Sequence, residues 1–188
     1  MDFIIYFIIG IIAVLAVTII GLYNNLISKR NEVKNAFGSI DAMLKKRYDL
    51  IPNLVETVKA YMKHEENIIL EVTRLRTQLN EQTNQNDKLE TDQKISKNVN
   101  GLLMAVENYP TLKASDNFMQ LQDSWNESEE QIAASRRFYN SAITIYNNAV
   151  QTFPSNLIAN YFNFSEECIP TIPEAERVNL NAKQLFNN

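Results

Sequence analysis

The chain opens on an unbroken apolar run. From Phe3 to Tyr23 no side chain is charged, and Ile, Val, Leu and Phe dominate. As a helix rising about 1.5 Å per residue, this run reaches on the order of 30 Å, the thickness of a bilayer's hydrocarbon core. The pattern then changes from continuous to periodic. Val33, Phe37, Ile40, Leu44, Arg47, Ile51, Leu54, Val58, Tyr61, Glu65, Ile68, Val72, Leu75 and Leu79 follow one another in steps of four and three. That is the seam of a helix packed at a shallow angle on its neighbours. The spacing predicts one very long helix. Pro52 lies off the seam and removes the bond to the carbonyl of Tyr48, so a kink rather than a helix end is expected there.

From Asn80 to about Thr91 the sequence turns polar (NEQTNQNDKLET) and reads as a loop or a frayed helix end. A second helix is expected from about Thr91 to Val106, with Ile95, Val99, Leu102, Leu103 and Val106 on one face. Tyr109-Pro110 ends it. The next helix begins near Ser115 or Asp116, both good N-caps. Its seam is Phe118, Leu121, Trp125, Ser128, Ile132, Ser135, Tyr139, Ile143, Tyr146, Val150 and Phe153, and Pro154 stops it. A short amphipathic turn around residues 156–164 is placed to fold back on the bundle, and the tail after Glu166 has no clear period. No strand-like alternation occurs. The fold class expected is all-α: a transmembrane helix (1–28) continuing into an elongated antiparallel three- or four-helix bundle (29–165), with a loosely ordered tail (166–188).

Charge orients this arrangement. Lys29, Arg30 and Lys34 follow the apolar run closely, whereas only Asp2 and the α-amino group precede it. Cations beside a span favour the cytoplasmic side, so the N-terminus is expected outside and the bundle in the cytoplasm. A cleaved signal peptide would need a basic n-region, a shorter apolar core and a small-x-small site, none of which the sequence supplies. Outside the juxtamembrane stretch the chain is mildly acidic, which argues against nucleic acid as a partner. The single cysteine, Cys168, excludes an internal disulfide and fits a reducing compartment. Glycine is scarce, which disfavours phosphate-binding loops.

Three blocks carry a family resemblance. RYDLIPNLVETVKAYMKHE (Arg47–Glu65), LLMAVENYPTLKASDNFMQLQ (Leu102–Gln122) and RRFYNSAITIYNNAVQTFPSNLIA (Arg136–Ala159) resemble, in order, the signature blocks of the LemA family. The anchor followed by YNNLISKRNEV is placed as in that family, and the likeness covers about residues 20–165. The resemblance implies a bacterial inner-membrane protein with an outside N-terminus and an elongated helical cytoplasmic domain. It supplies no activity, although one branch of the family is tied to forming magnetosome membranes.

Candidate chemistry is thin. His64-Glu65-Glu66 suggests metal ligands, but a single histidine cannot complete the two-histidine patterns, and a solvated helix face is the better reading. Cys168 lies beside acidic residues that raise a thiol pKa, and no activating group is near it in sequence. Neither a catalytic residue nor a cofactor is expected. Arg47 and Glu65 are different, because they are charges on a buried seam and each needs a partner. At about 27 Å apart along one helix they cannot meet each other. Glu107, Glu129 or Asp49 are candidate partners for Arg47, and Lys113, Arg136 or Arg137 for Glu65. Such a polar notch either binds a partner or fixes register between helices, and register is the better-attested use. Lys29, Arg30 and Lys34 are expected to set topology and to face lipid headgroups. The function expected is a non-enzymatic scaffold, touching membrane lipid through its anchor and binding a protein partner or copies of itself. The alternatives are a membrane-organising or membrane-remodelling assembly and a regulatory partner of a membrane protease.

Overall fold

The computed structural model describes residues 2–62, 66–81 and 84–169. Helix α1 runs without interruption from Asp2 to Tyr48. Its first part is a helix long and apolar enough to cross a membrane, and no residue of that part is buried by protein. Burial begins at Leu26 and continues through Val33, Ala36, Phe37, Ile40 and Leu44 to Tyr48. One helix therefore carries both the apolar run and a wall of the bundle core.

The long helix expected beyond Tyr48 is interrupted twice. At Pro52 the helical bonding lapses over Asp49 and Leu50, but Leu50 keeps helical dihedrals and α2 (Ile51–Lys59) carries on from α1, the kink that was expected, with Pro52 in the first turn of α2. Proline is at home there because the first helical N–H groups have no partner to lose. The carbonyl of Tyr48, which Pro52 cannot bond, accepts instead from the Nε–H of Arg76 at 3.3 Å. The second break is a reversal. After Lys59, α3 (Glu66–Glu81) runs back antiparallel against α2, which brings Arg76 level with Tyr48. Tyr61, expected on the seam, is exposed, and Met62 is buried in its stead. Likewise Ile69 is buried where Ile68 was expected, and Val72, Leu75 and Leu79 continue the core as the spacing predicts. A heptad seam states which face is buried; it is equally satisfied by one helix or by two in a hairpin.

The polar stretch after Asn80 is mostly helix as well. Asn84 is extended and its side chain accepts the N–H of Asn86, which caps α4 (Gln85–Ala105). Leu89, Thr91 and Asp92 are buried on α4 ahead of the expected Ile95, Val99 and Leu102. A 3-10 turn (Val106–Asn108) and a short helix α5 (Pro110–Lys113) then lead to α6 (Asp116–Gln151), where a start was expected. Its buried residues include Phe118, Trp125, Ser128, Ile132, Tyr139, Ile143, Tyr146 and Val150, as the seam predicts, but Phe153 is exposed beyond the helix end. Helix α7 (Ser155–Tyr161) folds back on α6 and α1, as expected.

The result is an all-α, up-down-up-down bundle of α1–α2, α3, α4 and α6. The α3–α4 hairpin covers only the end far from the apolar run. Nearer that run, among the described residues, α1 packs on α6, α7 and the residues just after α7.

Candidate functional site

Charge at the middle of the bundle is concentrated in one layer to which every long helix contributes. Arg47 of α1 is fully buried (0 % exposed). Its Nη2 donates to Asp92 of α4, and its Nη1 lies 2.6 Å from a carboxylate oxygen of Glu129 on α6. Asp92 also accepts from the hydroxyl of Tyr48 at 2.8 Å and from Arg136 of α6 at 2.8 Å. The Arg47 guanidinium stacks 5.0 Å from the ring centroid of Trp125, a favourable approach of a cation to an indole face. Helix α3 joins through Arg76 on the Tyr48 carbonyl. Two cations, Arg47 and Arg136, thus face two anions, Asp92 and Glu129, and Arg76 adds a third, part-buried cation that bonds a carbonyl instead of a carboxylate.

Burial strains the members of the layer in predictable directions. Desolvation pulls the Arg47 pKa below its ordinary value, while Glu129 and Tyr48 oppose that shift. The site still suits a charged guanidinium, because arginine stays protonated at any physiological pH. Burial pushes the Tyr48 phenol well up, against a smaller opposing pull from Arg47 and Arg136, so it stays a neutral donor to Asp92.

The partners of the expected site residues are now visible. Of the three candidates for Arg47, Glu129 is taken, Glu107 pairs instead with Lys113 at 2.5 Å, and Asp49 is exposed. Asp92 was not foreseen, because the buried face of the expected second helix was read from its apolar positions alone, and those begin at Ile95. Its signal is available in the spacing: stepping back from Val99 and Ile95 by the same period lands on Asp92. Glu65 lies outside the described residues, and Arg136, a candidate partner for it, bonds Asp92. Lys29 is half-buried, and Arg30 and Lys34 are exposed. Cys168 is exposed. Among the described residues no group of three or more His, Cys, Asp or Glu side chains converges. A shallow groove of about 380 Å³ lies between α2 and α6, lined by Asn53, Glu56, Thr57, Gln120 and Ser124 among others. It lacks the titratable pairs that acid–base chemistry needs.

The profile of the LemA family matches residues 36–183, most of the chain and all of the bundle beyond the first turns of its core. The chain belongs to the LemA family. The LemA match continues past residue 165, the limit of the likeness read from the blocks. A protein named LemA from Metamycoplasma hominis is 28 % identical over 186 residues, which cover 98 % of this chain and 84 % of that one. Two magnetosome proteins of Paramagnetospirillum magneticum, MamQ 1 and MamQ 2, are each 40 % identical over 63 residues. Those segments cover 33 % of this chain and 23 % of each relative.

Proposed function

We propose that this LemA-family chain is a non-enzymatic scaffold, anchored by one transmembrane helix, that holds a protein partner or copies of itself at the cytoplasmic face of a bacterial inner membrane. The observation that carries the reading is the continuity of α1: the apolar run and the bundle wall are one helix, so the bundle extends rigidly from the anchor. Rigid presentation of a helical surface is what a scaffold needs. The buried charge layer supports a structural role for the polar notch, because its ions face one another and Arg47 has no exposure through which a substrate could reach it. The cytoplasmic placement rests on Lys29, Arg30 and Lys34 beside the end of the run. In this reading residues 1–28 anchor, 29–165 form the presenting rod and 166–188 are a tail.

The test is photo-crosslinking in living cells, with exposed probes at Lys59 and Gln120 near the far end of the rod and at Ile145 nearer the apolar run. A discrete adduct with another protein from one face supports the scaffold and names its partner. Absence of any protein adduct at all three positions contradicts it. The similarity to MamQ, a magnetosome protein, favours one second reading: membrane organisation by assembled copies. A ladder of self-adducts without a foreign protein is its signature.

A further inference from the structure

The bundle end nearest the anchor carries apolar surface that the core does not use. Phe153, Leu157 and Tyr161 are 79 %, 58 % and 80 % exposed. Leu157 and Tyr161 are four residues apart and lie along one side of α7, and Phe153 is exposed in the turn that precedes it. The opposite side faces the core through Ile158 and the fully buried Ala159. Exposed apolar stripes of this kind usually mark an interaction surface.

The position of the stripe identifies what covers it. The ring of Phe162 stacks 4.8 Å from Tyr23, the residue that closes the apolar run, and Phe164 lies 5.8 Å from the same ring. The far end of α7 is therefore at the depth where the run leaves the hydrocarbon. The near end is at the same depth. Phe37 of α1 meets Tyr139 of α6 with ring centroids 5.6 Å apart, which sets the two helices level there. Counting equal rises along the two antiparallel helices puts the end of α6, Gln151, level with about Asn25. With both ends at one level, α7 lies across the axis of α1, parallel to the plane of a membrane. Its chemistry matches that plane: from Phe138 through Ser165 there is no charged side chain, so no ion is dragged into the interface. Aromatic side chains are enriched at this depth, and amphipathic helices lie there with the apolar side down. Lys29 and Arg30 sit about 10 Å further along α1, at the height of lipid phosphates.

We propose that Phe153, Leu157 and Tyr161 on the α6–α7 corner form a second membrane contact, an interfacial foot that dips into the lipid beside the transmembrane helix and seats the bundle on the bilayer. The proposal rests on the reading of α1 as a membrane span. Two attachments, one spanning and one interfacial, hold the rod's rotation and tilt in the bilayer, which a single span leaves free.

Nitroxide labels test it on the full chain in vesicles of phosphatidylethanolamine and phosphatidylglycerol. In a Cys168→Ser background, single labels are placed through Leu157→Cys and Tyr161→Cys, with Ile12→Cys in the run and Gln120→Cys on the rod as references. All four positions are exposed, so the labels displace no core. The expected result is that labels at Leu157 and Tyr161 collide more often with lipid-soluble oxygen than with a water-soluble nickel chelate, as at Ile12 and opposite to Gln120. If both behave like Gln120 while Ile12 is in lipid, the foot is wrong and the anchor stands. If Ile12 is also aqueous, the anchor reading falls and the foot with it. Labels at Leu157 and Tyr161 shielded from both reagents would mean that protein covers the patch, which overturns the lipid assignment.

Discussion

At the residue scale the account turns on Arg47. A guanidinium with no exposure is tolerable because Asp92 and Glu129 neutralise it and Trp125 stacks on it. Removing it strands Asp92 in the core beside one remaining arginine. Arg47→Ala is expected to lower unfolding stability by about 3–5 kcal/mol, read from denaturant unfolding in detergent, because an uncompensated buried charge is among the costliest defects. A loss under about 1 kcal/mol would mean that water reaches the layer. Arg76 offers a finer test. Its bond to the Tyr48 carbonyl replaces the one that Pro52 removes, so Arg76→Ala is expected to cost about 1–2 kcal/mol. Arg74, two residues away, pairs with Glu71 in full solvent, and Arg74→Ala is expected to leave the unfolding midpoint unchanged. Arg47 was legible from sequence as a charge on a seam, and Glu129 was among its foreseen partners. Asp92 was hidden by its polar neighbours. A seam can run through a polar stretch, since only one residue in each three or four must face the core.

At the element scale the same distinction recurs. The seams on α6 and on the core side of α1 read directly from spacing, because burial is what the period reports. The reversal between α2 and α3 was not legible. No glycine or proline marks residues 59–66, and the phase of the apolar positions carries on almost unchanged across it. The start of α4 was missed because helix propensity and an N-cap were available in residues that looked like loop. That cap is testable. Asn84→Ala is expected to cost about 1 kcal/mol, and hydrogen exchange should speed up in the first turn of α4 while α6 is unaffected. Faster exchange spread over the whole bundle would show instead that α3 and α4 do not open independently of it.

At the scale of the whole molecule, the structure is a rod whose base continues into the apolar run as one helix. Its stability should fail at alkaline pH before it fails at neutral pH. Burial raises the phenol pKa of Tyr48, Tyr139 and Tyr146. Their unfolded value is about 10, so the folded chain holds protons that the unfolded chain releases above that pH. These tyrosines contribute stability that is complete below about pH 10 and declines as the pH rises toward their folded values. The unfolding temperature should fall above about pH 10, and their phenolate absorbance should appear together with loss of helix. Complete tyrosine ionisation with the helical signal intact would contradict the burial of these rings. The rod's standing on the membrane is the claim on which the scaffold rests, and its height is measurable. From Tyr23 to Lys59 the helices rise about 50 Å at 1.5 Å per residue. Energy transfer from a dye at Lys59 to acceptors in the lipid headgroups of reconstituted vesicles measures this height directly. The account predicts a distance of closest approach of about 40–50 Å. A distance below about 20 Å would mean that the bundle lies along the bilayer, and the upright scaffold would be refuted.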